Sequence, residues 1–441
     1  MKRHAMIFLL GVAPGIALAQ DLVQVYRDAL AYDAQYAAAR FSAEAGREKL
    51  PQGRALILPT INLSATNNRS RVDVDSRSPT VSPSFMRETR SYGSTLSLSQ
   101  PLYRPQNMIS YDQAELQVRQ SDAVLGQAGQ DLIVRVSQAY FDVLSAENSL
   151  ELVTAQKAAI SEQLEQAKRN FEVGTATITD SHEAQSRYDL SIAQEIAARN
   201  DLENKRRALQ QVTGKEYARL TPLRGDVRLS PPNPTVMQTW VDLAEKQSYG
   251  VQVQQAVSEI AALEVQRQRA GHLPTVDLVA SYAFNAQSGT ATTALGSDSR
   301  VGTLGIQAAL PLYQGGAVES RVREASANNE KAKQDLENAR RSAALAARQS
   351  YVSVVNGIAQ VRAFEQALVS SQSAVESNRL GYEVGVRINI DVLNAQQQLF
   401  STRRDLALAR YNTITNHLRL KAAAGSLKAE DLEEVNRALA P

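Results

Sequence analysis

Two aspartates, Asp180 and Asp391, lie six residues beyond a Glu-Val-Gly triplet, at Glu172-Val173-Gly174 and Glu383-Val384-Gly385. Thr179 precedes the first, Tyr382 and Arg387 precede the second, and Asn394 follows it. A carboxylate accepts hydrogen bonds from a phenol and from a guanidinium, and charge-assisted bonds are the stronger kind. Such a set is suited to holding parts together rather than to breaking covalent bonds. Simpler roles stand beside that one. Either Asp could cap a helix N-terminus, worth about 1 kcal/mol. Tyr382 could be a coiled-coil core residue, Arg387 a solvated loop charge, and Gly174 and Gly385 helix C-cap glycines. Catalysis is not expected. His4, His182, His272 and His417 are scattered, and cysteine is absent. There is no metal-ligand spacing, no Gly-rich phosphate loop before Lys-Ser/Thr and no Ser-His-Asp constellation. No cofactor or metal is expected.

The two aspartates belong to a duplicated unit. Phe171 to Gln185 returns as Tyr382 to Gln396, 211 residues later, and the same offset links Tyr140 to Tyr351 and Gly214 to Gly425. Near-equal offsets link Leu58-Pro59-Thr60 to Leu273-Pro274-Thr275 and Pro101-Leu102-Tyr103 to Pro311-Leu312-Tyr313. A period of about 200 residues is too long for a solenoid. It implies two equivalent halves around a common axis.

Residues 1–19 read as a signal peptide: basic Lys2 and Arg3, an apolar stretch from Met6 to Leu18, and Ala17-Leu18-Ala19 before Gln20 as the cleavage signal. Removing Lys2 and Arg3 takes the basic residues from 48 to 46, against 46 acidic ones. A neutral mature chain offers no nucleic-acid footprint. No later segment is long and apolar enough for a spanning helix. A periplasmic, secreted or outer-membrane β-barrel protein remains possible. The boundaries are a first repeat at 20–219, a Pro-rich linker at 220–235, a second repeat at 236–425 and a tail at 426–441 holding one short helix near Ala429 to Leu439.

Each repeat reads as helix, two-stranded hairpin, very long helix, loop, helix. Leu22 to Leu58 is helical in pattern until Pro59. Ile61, Leu63 and Ala65 alternate with polar residues from Thr60 to Val74, turn residues fill Ser76 to Pro83, and a second strand covers Ser91 to Gln100. In the second repeat Val276 to Phe284 and Leu304 to Leu310 alternate around a loop at 287–299. From Pro105 to Gly174 a heptad seam carries Leu132, Ala139, Ala146, Ile160 and Ala167, with Val136, Val143, Leu164 and Phe171 opposite. Lys157 interrupts it as a snorkelling side chain. Roughly 67 helical residues span on the order of 100 Å. The last helix of the first repeat covers Asp180 to Thr213. Four strands per chain cannot close a barrel, and open edges are not tolerated in hydrocarbon. Membrane strands here would require several chains, eight, twelve or sixteen strands in all.

The segment from Gly381 to Gln396, Ala409-Arg410-Tyr411-Asn412, both Leu-Pro-Thr strand entries, Gln100-Pro101-Leu102-Tyr103 and Pro311-Leu312-Tyr313-Gln314-Gly315-Gly316 closely resemble the TolC-like outer-membrane efflux and secretion ducts. The resemblance covers essentially the whole mature chain. It implies an α+β membrane fold: a homotrimeric twelve-stranded transmembrane β-barrel continued by an α-helical coiled-coil periplasmic tunnel. It implies a gate at the tunnel's inner end, latched among Thr179, Asp180, Tyr382 and Arg387 and opened by an iris-like untwisting. Asp391 matches the entrance constriction, a ring of carboxylates favouring cations. The family's namesake has a second acid where this chain has Asn394, which implies a weaker ring, and Arg387 would weaken it further. Gly174 and Gly385 mark hinge and adaptor-docking turns. The implied partners are a periplasmic adaptor, an inner-membrane ABC or proton-driven pump, and outer-membrane lipid. The implied function is an exit duct for type I secretion or multidrug efflux. The alternative is an exported periplasmic coiled-coil scaffold or adaptor.

Overall fold

The computed structural model describes residues 19–75, 77, 84–225, 227, 229–290 and 295–440. All but the last residue of the expected signal peptide 1–19, and most of the expected turn at 76–83, lie outside them. The described chain runs α1 (Leu22–Tyr32), α2 (Ala34–Arg47), α3 (Lys49–Ala55), β1 (Thr60–Val74), β2 (Phe85–Tyr103), α4 (Pro105–Glu172), α5 (Ile178–Thr213), α6 (Met237–Gln247), α7 (Tyr249–Arg269), β3 (Thr275–Gln287), β4 (Ser297–Ala309), α8 (Ala317–Glu383), α9 (Asn389–Ala423) and α10 (Glu430–Arg437). These form two compact units. One comprises Ser42–Ala123 and Gln252–Asn338, the other the remaining segments, so each unit draws on both repeats.

The first unit holds the antiparallel sheet, in the order β1-β2-β3-β4. Thr60 opposes Ser99, Ser97 opposes Ser281, and Thr275 opposes Ala309. On one face Ile61, Leu63, Leu304 and Ile306 are each about two-thirds or more exposed. Such a band tolerates hydrocarbon, not water. Tyr92 and Tyr282 are exposed at one end of it and Tyr103 and Tyr313 near the other, as in the aromatic girdles of membrane barrels. At the latter end Arg104 donates two bonds, 2.8 and 2.6 Å, to the Asp277 carboxylate, clamping β2 to β3 beside a register irregularity. Below the sheet, Gln113 of α4 donates to the Ile260 carbonyl and the Glu264 carboxylate. Glu264 also receives a fork from Arg267, which with Gln268 and Gln113 holds its pKa at about 2 despite partial burial.

The second unit is helical. Tyr140 and Phe141 meet edge to face, and Phe141 stacks on Tyr411 at 5.5 Å between centroids. Leu22, Val25 and Ala29 of α1 complete this core with Leu132, Val136 and Val143 of the heptad seam. A smaller cluster joins Trp240 to Val354, Ile358 and Leu420. The repeated tyrosines have matching tasks. Tyr140 donates to the Thr221 carbonyl at 2.8 Å, and Tyr351 donates to the Thr235 carbonyl. Each therefore pins one end of the irregular linker, whose prolines leave carbonyls without helical partners. Burial pushes the Tyr140 hydroxyl well above its usual pKa and that of Tyr411 up to about 12.

Three expectations need correction. The helix expected from Leu22 to Leu58 is three helices. Asp33 breaks it with an extended backbone (ψ 115°), and its carboxylate accepts from the Tyr36 amide and from Arg135. A second break falls at Glu48, and Pro51 is tolerated because it lies in the first turn of α3, where an amide would have no partner. β2 and β4 extend beyond the alternating cores, to Phe85–Tyr103 and Ser297–Ala309, because their ladders continue past the apolar band. Phe171 is exposed rather than in the core, and Lys157 pairs with Glu195 of α5. Lys157 holds the Glu195 carboxyl below its usual range. The tail helix falls where expected, at Glu430–Arg437.

Candidate functional site

The repeated turns are built alike. At the end of α4 the Thr175 amide donates to the Asn170 carbonyl (2.8 Å) and the Gly174 amide to that of Phe171 (3.0 Å). At the end of α8 the Val386 amide donates to Gly381 (2.9 Å) and the Gly385 amide to Tyr382 (3.1 Å). Both are Schellman caps, and Gly174 and Gly385 take the required left-handed conformation, φ +75° and +78°. Around them Val173, Val384, Val386 and Ile388 expose most of their surface.

The next helices start differently. α5 is capped by Thr177, not by Asp180 as the sequence suggested. Asp180 is the third helical residue, and its carboxylate accepts from the Thr177 amide at 3.0 Å while the Asp180 amide donates to the Thr177 hydroxyl, closing a capping box. In α9 the corresponding cap is Ile388, which has no side-chain oxygen. Asp391, likewise the third residue and not the cap, lies 3.6 Å from the Arg387 guanidinium. Gly381 leaves room for this arginine, since a Cβ there would fall 2.7 Å from the Arg387 Cγ.

The structure does not join the four latch residues to one another within a protomer. Thr179 is exposed, Asp180 serves the capping box, and Arg387 faces Asp391. The Tyr382 hydroxyl accepts from Asn170 Nδ2 at 3.0 Å, a bond from the end of α4 to the end of α8. Asn394 accepts from Arg187 at 2.7 Å, and Arg187 also donates to Gln397 at 2.6 Å. A second cation, Arg187 of α5, therefore lies against the stretch of α9 that holds Asp391. Sequence reasoning missed both Asn170 and Arg187. Neither recurs at the repeat offset, where Gly381 and Gln398 stand, so periodicity held no signal for them. Among the described residues no acidic or histidine cluster could hold a metal, and no helix is long and apolar enough to cross a membrane.

A family profile described as outer membrane efflux protein matches residues 25–215 and 240–426, one stretch in each repeat. The chain belongs to that family. It is 33% identical to the outer membrane protein TolC of Vibrio cholerae, over all of this chain and 99% of that one. It is 35% identical to the alkaline protease secretion protein AprF of Pseudomonas aeruginosa, over 95% and 87% of the two chains. The fold is similar to that of the Campylobacter jejuni CmeC outer membrane channel, with a TM-score of 0.79 and 18% identity, covering 95% of this chain and 90% of that one. It also resembles the Vibrio cholerae outer membrane protein VceC, with a TM-score of 0.76 and 18% identity over 92% and 96%. The architecture is thus that of the outer-membrane channels, with helices, a four-stranded sheet and a tandem repeat. Membership of the family makes this an outer-membrane protein.

Proposed function

We propose that three copies of this chain form the outer-membrane exit duct of a tripartite machine, passing proteins or small toxic compounds delivered by an inner-membrane pump. The observation that carries this reading is the four-stranded sheet with two unpaired edges and an outward apolar band. In hydrocarbon each unpaired backbone group costs several kcal/mol, so the edges must close on other copies. Three chains supply twelve strands. The duct has no motor and works by a lumen, so no substrate pocket is required. A periplasmic adaptor and an ABC or proton-driven pump supply delivery and energy, with docking at the turns around Gly174 and Gly385. Type I secretion is favoured over drug efflux by the relatives named for protease secretion, AprF and PrtF. In the assembled gate Thr179, Asp180, Tyr382 and Arg387 form the latch between neighbouring protomers, and Asp391 with Asn394 lines the entrance. Export follows from cleavage after Ala19.

The test is single-channel conductance of the purified oligomer in a planar bilayer, beside the Asp180→Ala, Arg387→Ala double variant. A small steady conductance that rises severalfold in the variant supports duct and latch. A pore with unchanged conductance removes the latch. Folded protein with no channel supports the scaffold alternative.

A further inference from the structure

We infer that β4 of one copy pairs with β1 of the next in the register set by the internal repeat, with Gln307 opposite Thr66 of the partner subunit. The inference rests on the proposed trimer and goes beyond it by naming the contact.

The repeat superposes strand on strand without slip. The Leu-Pro-Thr match carries Thr60 onto Thr275, and the Pro-Leu-Tyr match carries Ser99 onto Ala309. Thr60 pairs with Ser99, and Thr275 pairs with Ala309. The two hairpins thus share one register, though nothing in the sequence match required it. β2 and β3, which join the hairpins within a chain, pair Ser97 with Ser281, Leu98 with Ala280 and Pro101 with Asp277. The same correspondence moves these pairs onto the free edges. Ser97 becomes Gln307 and Ser281 becomes Thr66; Leu98 becomes Ala308 and Ala280 becomes Ala65; Pro101 becomes Pro311 and Asp277 becomes Asn62.

Side-chain alternation provides an independent check. Ala308 shares its face with Leu304 and Ile306, and Ala65 shares its face with Ile61 and Leu63. The inferred register sets these apolar faces side by side, whereas a slip of one residue would set apolar against polar. Ser99 faces Thr60 on one side and Val279, four residues beyond Thr275, on the other. Six such steps around a closed trimer give a shear of about 24 and a strand tilt of about 55°, steeper than the roughly 35–45° common in barrels and hence with a wider lumen.

The two kinds of seam differ chemically. Arg104 and Asp277 clamp the seam within a chain. Their counterparts at the subunit seam are Gln314 and Asn62, both neutral amides. The subunit seam therefore relies on the backbone ladder and lacks a charged fork.

The chain has no cysteine, so introduced pairs can be read without background. The full-length Thr66→Cys, Gln307→Cys variant is expressed in outer membranes, oxidised, boiled in SDS without reductant and run on a gel. Loss of the monomer band to covalent oligomers, reversed by reductant, is expected. Ser64→Cys, Gln307→Cys and Asn68→Cys, Gln307→Cys keep the monomer, because diagonal neighbours sit about 7–8 Å apart, beyond the roughly 3.5–4.5 Å Cβ separation of a disulfide. Cross-linking in either diagonal variant, or none in a variant whose unboiled sample is an SDS-resistant oligomer, overturns the register and leaves the duct standing. If the unsubstituted chain gives no oligomer before boiling, the trimer fails and the register with it. The second in-register pair, Ser64→Cys, Ala309→Cys, carries the same test should the first variant not assemble.

Discussion

The bond from Asn170 to the Tyr382 hydroxyl ties the end of α4 to the end of α8, between the two repeats. If the duct opens by separating these helix ends, Asn170→Ala lowers the cost of opening. A neutral, half-buried bond contributes about 1 kcal/mol net. Three copies in a trimer contribute about 3 kcal/mol, which moves the ratio of open to closed time about a hundredfold. Asn378→Ala is the control, because Asn378 donates to the Ala374 carbonyl on its own helix and joins no two elements. Single-channel recordings under one voltage and salt condition give the fraction of time in the high-conductance state. Tyr382→Phe should open the duct at least as far as Asn170→Ala, because it removes this bond and the proposed latch contact of the same hydroxyl, and the double variant should be no more open than Tyr382→Phe. Indistinguishable records from Asn170→Ala and Asn378→Ala would refute the coupling. A double variant more open than Tyr382→Phe would show that Asn170 acts through another partner.

Four further outcomes are expected. Thr177→Ala removes the capping box and costs about 1 kcal/mol, read as faster hydrogen exchange in the first turn of α5. Ile388→Thr supplies the missing cap to α9 and slows exchange there, so equal rates in variant and parent would refute the asymmetry. His417 has its pKa lowered by burial first and then by Lys421, with Glu434 and Asp431 opposing. Its depressed folded value means that stability is full above the unfolded value near 6.5 and falls as pH drops through the folded one. The thermal midpoint of the oligomer should therefore fall below about pH 6.5, and less steeply in His417→Gln. Finally, the Gln314→Arg, Asn62→Asp pair builds a charged fork at the subunit seam. A charge-assisted bond contributes about 1.5–3 kcal/mol, so the SDS dissociation temperature should rise, whereas an unchanged temperature would count against that contact.

The sequence carried what periodicity carries. Alternation of period two placed four strands because one face must be apolar, and the heptad placed α4 to within two residues of its end. The repeat located Gly174 and Gly385 because only a residue tolerating positive φ closes a Schellman cap. Strand ends were less legible: β2 continues into charged rungs such as Arg71–Glu88, with a diagonal ion pair from Glu88 to Arg69, where the ladder holds without apolar alternation. The break at Asp33 was hidden because Ala-rich sequence on both sides reads as one helix, and the reason for the break is a tertiary bond to Arg135. Lys157 looked like an isolated fault in the seam until α5 brought Glu195 against it.

Sequence alone therefore determined the duplication, the element order and the residue types available at the inner turns, since these depend on local propensity and on spacing along the chain. Only tertiary structure decided which of those side chains meet. Asp180 turns to Thr177, Asp391 to Arg387, Tyr382 to Asn170 and Asn394 to Arg187. The last two pairs join residues more than two hundred positions apart, and only the side-by-side packing of equivalent helices from the two repeats sets which faces come within the 3 Å reach of a hydrogen bond.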